Sequence, residues 1–260
     1  MKLRLLTGVL LCALTLSAIL SGMSENAFAG KNIDTGDNTF VGPVQPDEDE
    51  GNDSQDEGKD LSANVSLSSD YILRGLSQSE HQPVVQGGLD WYLPMGIYLG
   101  VWASSVEFQG LNTSLELDPY GGYYYEFANG IKASAGFLYY SYWSDINRNG
   151  FLFPLRGEWK NYSLEMDFAP SWQGGDAASW YFVGGWQHKL FYDAKLGILA
   201  GYSFFSNTTN EQEYADFRIN LSHDFLGVEW MLSGVFTTSD QVINDAAGGS
   251  RAVVSVTKTF

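Results

Sequence analysis

The chain has 260 residues, a formal net charge of −17 at pH 7 and only 17% charged residues, against 44% hydrophobic and 15% aromatic. So little charge over so much apolar material excludes an ordinary water-facing surface, because soluble domains carry about 25% charged residues. The acidic balance also excludes nucleic acid as a partner, since such a chain repels phosphates and gains nothing from counterion release.

Residues 1–29 read as a secretory signal peptide. Lys2 and Arg4 precede an apolar run from Leu5 to Leu20, and Ala27-Phe28-Ala29 before Gly30 forms a small-x-small cleavage site. A membrane anchor is the rival reading, weakened by the short run and the lack of stop-transfer charges after it. The only cysteine, Cys12, lies in this leader, so the remainder has no disulfide and no cysteine metal site, and no cofactor is expected. Beyond the leader no run of about 18 to 20 apolar residues offers a spanning helix.

Residues 30–60 hold ten acidic residues against Lys31 and Lys59, with Asp47-Glu48-Asp49-Glu50 at the centre. Such a segment cannot bury enough apolar area to offset its ordering entropy and is expected to be a disordered tail. A calcium loop is the functional rival, but the alternating carboxylates, glycine and closing glutamate of an EF-hand do not line up here.

From residue 61 to 260 the dominant signal is an alternation of period 2. Tyr162, Leu164, Met166 and Phe168 face one way and Ser163, Glu165 and Asp167 the other; Phe217, Ile219 and Leu221 oppose Asp216, Arg218, Asn220 and Ser222. Scored along the chain, the pattern predicts twelve strands, near 62–74, 83–93, 97–107, 115–127, 131–142, 151–160, 162–172, 179–190, 193–205, 213–225, 228–238 and 250–260. Tight connectors such as Pro94-Met95-Gly96, Ala128-Asn129-Gly130 and Leu226-Gly227 alternate with longer polar ones around Gln78, Asn112, Asn147, Gly174, Asn207 and Asp245.

An even strand number with short turns at one end and longer loops at the other is the layout of an antiparallel transmembrane β-barrel of the outer membrane. Strands of about 11 residues, tilted about 40°, reach roughly 28 Å, enough for an apolar band of about 25 Å. Aromatic residues near strand ends, Trp91, Tyr92, Phe127, Trp143, Phe151, Trp159, Trp172, Trp180 and Phe225, fit girdles at the two lipid interfaces. A secreted β-sandwich or lipocalin-like barrel is the alternative, in which the apolar face would be the core. Strand length, loop alternation and the girdles favour the membrane barrel, with outer-membrane lipids as its surroundings. The terminal Phe260 on an alternating last strand resembles the signal read by the outer-membrane assembly machinery.

The segment Asp70-Tyr71-Ile72-Leu73-Arg74-Gly75-Leu76-Ser77-Gln78 resembles the SDYxxRGxSQ block of the TorF-like family of porins of Gram-negative bacteria. Pro83 to Asp90, Gly96 to Ser104 and Glu116 to Tyr123 fit the same family in the same order. The resemblance implies an outer-membrane location and a pore, and it supplies no solute. The acidic tail is not part of that pattern.

If the apolar face is outward, the polar face lines the lumen. The candidate pore-lining residues are Asp70, Arg74, Asp90, Glu116, Asp118, Arg156, Glu165, Asp167, Asp216 and Arg218. Two readings stay open: the charges pair across strands and satisfy one another, or Arg74, Arg156 and Arg218 face carboxylates to make a transverse field for dipolar solutes. Twelve strands leave a bore of roughly 10 Å or less once side chains fill the rim, narrowed by Tyr98, Trp102, Tyr120, Tyr124 and Tyr140. Passage of small hydrophilic solutes with mild cation preference is therefore expected, the alternative being a closed structural or adhesive barrel. An enzyme is not expected. His81 reads as a solvated loop residue, and His188 and His223 fall on the lipid-facing parity near the tight turns.

Overall fold

In the computed structural model, which describes residues 61–108, 113–143, 145–206, 213–238 and 247–260, twelve antiparallel strands close into one barrel. They are β1 (Leu61–Ser68), β2 (Val84–Tyr92), β3 (Ile97–Ser105), β4 (Leu115–Glu126), β5 (Lys132–Tyr140), β6 (Gly150–Trp159), β7 (Tyr162–Ala169), β8 (Ala178–Lys189), β9 (Lys195–Ser206), β10 (Tyr214–Phe225), β11 (Val228–Thr237) and β12 (Arg251–Thr259). Each pairs with its sequence neighbour, and β1 closes the ring on β12 from Asn64↔Thr259 to Ser68↔Ser255. The expected leader and acidic tail lie outside the described residues.

Alternation is what makes these strands and sets their faces. On β10, Phe217, Ile219 and Leu221 are exposed while Asp216, Arg218, Asn220 and Ser222 are buried. The same split runs round the ring, so the apolar set forms an outer coat and the polar set an interior, inverse to a soluble domain. The tight turns share the end that holds Leu61 and Thr259. Leu226 and Gly227, both at positive φ, make the two-residue turn that the right-handed twist of a hairpin favours.

The first strand differs from expectation. It ends at Ser68, not near residue 74, and Ser69 donates the last ladder bond, to the Val254 carbonyl at 2.9 Å. The alternation itself fails at Tyr71-Ile72-Leu73, three consecutive apolar residues that no single-faced strand can place. The chain instead folds into the barrel as an inner hairpin, Ile72–Leu73 against Leu76–Ser77. Its turn is Arg74-Gly75, with φ of 48° and 78°. A Cβ on Gly75 would lie 2.5 Å from Asp216 Cβ, so both the positive φ and the close approach require glycine there.

All residues from Asp70 to Ser79 are buried. Ile72 packs on Val235 of β11 and Val253 of β12, while Tyr71, Leu73 and Leu76 pack in a cluster with Val84, Tyr98, Leu138, Tyr140 and Leu152. Arg74 reaches Asp167 on β7 at 3.5 Å and Ser179 on β8 at 3.1 Å. In a ring of twelve, β7 stands opposite β1, so the hairpin crosses the lumen.

Two expected girdle residues point inward instead. Tyr92 shares the inward parity of Asp90 and is buried. Trp172 lies past the end of β7, where a short turn with Gln173 at φ 46° rolls its ring into the barrel. Trp91, Phe127, Trp143, Phe151, Trp159 and Phe225 are exposed as the girdle reading requires.

The outward face has a direct test at Ala135, exposed on β5 between Tyr123 and Leu155. Ala135→Arg is expected to cost about 2–4 kcal/mol at the bilayer midplane, read as a shift in the urea folding equilibrium into lipid vesicles. Equal folding of variant and parent would overturn the face assignment.

Candidate functional site

The candidate site is the barrel interior, and most of its charge is organised around the inner hairpin. The Arg74 guanidinium sits 4.2 Å from the Trp172 ring centroid and 5.0 Å from that of Tyr181, with Asp167 beside it. Arg74 and Asp167 are both 0% exposed. A charge so buried is tolerable only when paired, and the aromatic faces add cation–π attraction. Next to this clasp, Tyr181 donates to Asp216 at 2.9 Å, and Arg218 bonds both Asp216, at 3.1 Å, and the Tyr181 hydroxyl, at 2.8 Å. The two networks meet at Tyr181, and the hairpin turn rests on Asp216.

Arg156 of β6 lies 2.8 Å from Glu158 and 3.5 Å from Glu165. Asp90 accepts a hydrogen bond from Tyr120. The Tyr120 ring fills the space beside Gly100, where any side chain would collide with it. Glu116 and Asp118 stand two residues apart on the inward face of β4, both buried. Thus Arg74 joins Asp167, Arg156 joins Glu165, and Asp216 joins Arg218, whereas Asp90 bonds a tyrosine and, among the described residues, the Glu116–Asp118 pair faces no arginine or lysine at salt-bridge distance.

Asp70 is the hub of a further cluster at the loop end. Ser77 and Ser79 donate to its Oδ1 at 2.6 and 2.9 Å, His81 Nδ1 lies 2.9 Å from Oδ2, and Arg251 of β12 approaches Oδ2 at 3.5 Å. His81 is therefore held by a carboxylate, not merely solvated. Its side chain remains 46% exposed, and both serine hydroxyls are committed to Asp70, so among the described residues no serine hydroxyl bonds its ring. Sequence reading missed this cluster because it depends on the inward turn after Ser68. The available signal was the break in alternation at Tyr71 together with glycine at position 75.

The other end of the lumen is wetter. Lys132, Glu158, Lys195 and Glu229 are only partly buried there, and Lys195 lies 3.6 Å from Asp224 and 3.5 Å from Glu229. The interior is thus dry and interlocked where the hairpin crosses it and open to water beside the tight turns.

Several solved structures share this fold. A KdgM porin aligns with a TM-score of 0.53 and 13% identity over 76% of this chain and 99% of its own. A KdgM porin in complex with disordered oligogalacturonate gives 0.51 and 12% over 77% and 98%. A NanC porin gives 0.50 and 10% over 76% and 98%. At such identities the likeness establishes a porin-type barrel fold. No curated protein sequence matches the chain. The model of one family does match, over residues 52–260, taking in the whole barrel and the end of the acidic segment. The chain therefore belongs to the bacterial family described as "Bacterial protein of unknown function (Gcw_chp)".

Proposed function

We propose that this protein is an outer-membrane channel for small hydrophilic solutes, with the inner hairpin as its constriction. The observation that carries the reading is a charged, polar lumen inside an apolar outer coat, open to water at the tight-turn end. The pore-lining set is Asp70, Arg74, Asp90, Glu116, Asp118, Arg156, Glu165, Asp167, Asp216 and Arg218, with the hairpin bringing Asp70 and Arg74 into the path. The porin-type folds of KdgM and NanC support a transport role, as does the resemblance of the Asp70 to Gln78 segment to TorF-like porins. In this reading the leader delivers the chain to the periplasm, and Phe260, exposed at the end of β12, is the signal for the assembly machinery. The excess of acidic over basic groups in the lumen gives a mild preference for cations. Enzymatic activity is not part of the reading, because among the described residues no serine hydroxyl bonds the His81 ring of the Asp70–His81 pair.

A second reading, a closed structural or adhesive barrel, is favoured by one observation: the complete burial of Asp70 to Ser79 across the lumen. Planar-bilayer recording separates the two. The pure parent is expected to show small, cation-preferring conductance, and replacing Asp70–Ser79 by a short Gly/Ser linker is expected to raise it several-fold. Silence from both proteins establishes the closed barrel instead, and clear anion selectivity removes the cation preference.

The clasp itself is expected to dominate hairpin stability. Arg74→Ala leaves the buried Asp167 without its ion-pair partner and should cost about 3–5 kcal/mol, measured by urea unfolding in lipid vesicles. An effect below about 1 kcal/mol, the scale of an exposed ion pair, would show that the clasp is not desolvated.

A further inference from the structure

Among the described residues, the buried charges of the interior do not balance. Six carboxylates, Asp70, Glu116, Asp118, Glu165, Asp167 and Asp216, are buried. They meet four guanidiniums: Arg74 on Asp167, Arg156 on Glu165, Arg218 on Asp216 and Arg251 on Asp70. The loop residues outside the described set contain no lysine or arginine, so none of them can supply the missing charge. The two carboxylates left over, Glu116 and Asp118, are neighbours on one face of one strand. Among the described residues, Asp118 accepts only the backbone N–H of Ser141, at 3.2 Å. Among the described residues, neither oxygen of Glu116 has a partner at full hydrogen-bond geometry, although the Tyr71 and Tyr142 phenols approach it. Two adjacent negative charges so deeply buried are among the costliest arrangements a fold can hold without a counter-charge.

A second observation comes from a separate part of the chain. Tyr71 is on the inner hairpin, packs edge-on against Trp102 at 5.4 Å, and is 1% exposed. Its hydroxyl also lacks a partner, although it is directed at Glu116. Tyr142, the cross-strand neighbour of Glu116, turns its phenol to the same carboxylate. The Tyr71 hydroxyl and both Glu116 oxygens thus converge in the buried interior, and among the described residues none of them completes a well-formed hydrogen bond. The donor set is all oxygen and carries two negative charges. That is the chemistry of a hard divalent cation, for which calcium tolerates irregular geometry better than magnesium does.

We propose that Glu116, Asp118 and the Tyr71 hydroxyl form a binding site for one divalent cation of the calcium class inside the barrel, tying the inner hairpin to β4. The two carboxylates neutralise the ion, and the phenol makes its occupancy depend on the hairpin being folded inward. Bound calcium therefore holds the hairpin across the lumen, and calcium removal loosens it whether or not the barrel conducts.

The test uses the full chain in detergent, stripped of metal by chelation and titrated calorimetrically with Ca²⁺, then with Mg²⁺. The acidic segment 30–60 contributes the same background to parent and variant, so the readout is their difference. The parent is expected to bind one more Ca²⁺ per chain below about 1 mM than Glu116→Gln/Asp118→Asn does. It should also bind Ca²⁺ in preference to Mg²⁺ at that site, and Tb³⁺ placed there should show tyrosine-sensitised luminescence that Ca²⁺ displaces. Tyr71→Phe is expected to weaken the site about 10-fold, and Asp145→Asn, a carboxylate paired with Arg148 outside the site, to leave it unchanged. The double variant relieves a repulsion and should fold; if it does not, Tyr71→Phe, which removes a single hydroxyl, decides the matter alone. Equal Ca²⁺ stoichiometry in parent and double variant, or no weakening in Tyr71→Phe, overturns the proposal. Displacement of Tb³⁺ by tetramethylammonium as readily as by Ca²⁺ overturns the metal assignment in favour of an organic cation.

Discussion

Everything in this structure follows from the requirement that a strand in hydrocarbon leave no backbone N–H or C=O unpaired. Closure of β1 on β12 is the step that meets it, because without that ladder both strands would present open edges to lipid. Once the ring is closed, each side chain has only two directions. Outward means lipid, so Phe217, Ile219, Leu221, Trp230 and Leu232 can stay exposed without cost. Inward means a narrow space in which polar groups must satisfy one another.

The interior meets that demand differently at its two ends. On the inward face of β1 stand Ser62, Asn64, Ser66 and Ser68, all small, and the matching positions of β12 are Val253, Ser255 and Thr257. Small residues on these two walls leave room that the inner hairpin fills at the loop end. The opposite wall carries the large partners, Trp172, Tyr181 and Asp167, that receive Arg74. The hairpin is anchored by its tip on the far wall and by Ile72 on the near one, so side chains hold it at both walls.

The strands were legible in the sequence because period 2 is a local property that survives wherever lipid and lumen compete for alternate residues. Strands such as β10 and β11 are read almost residue for residue, with Leu226-Gly227 marking their turn. The inner hairpin was not legible as such. Tyr71-Ile72-Leu73 breaks the alternation, but what the break produces depends on Asp167, some ninety residues further on, and the inward-rolled Trp172 ring likewise meets Arg74 from far away in the chain. Parity placed Asp70 and Arg74 inside for the wrong reason, since both leave the wall altogether. Tyr92 shows the opposite error: an aromatic near a strand end suggested an interface, and parity with Asp90 decides otherwise. The ion pairs within neighbouring strands, such as Arg156 with Glu165, follow from register; the clasp across the lumen does not.

The division between arginine and lysine sharpens this picture. After residue 60 the lysines are Lys132, Lys160, Lys189, Lys195 and Lys258, and each lies in or beside a tight turn or near the end of β12. Of the five arginines there, Arg148 sits in a loop at 26% exposure, whereas Arg74, Arg156, Arg218 and Arg251 have side chains from 0% to 10% exposed. The two residues carry the same charge but different hydration. A guanidinium gives up water more readily and offers several donors in a fixed plane, so it can be buried against carboxylate and aromatic faces; an ammonium keeps its water and belongs at a wet mouth. The boundary between the two sets therefore marks where the lumen passes from bulk-like water to a dry network. A solute entering from the tight-turn end would meet mobile charges first and the arginine–carboxylate lattice second, and its hydration would have to be replaced at the hairpin. In the channel proposed above, selection would rest on the dry lattice, whose geometry is fixed, and not on the lysines, whose charges water screens.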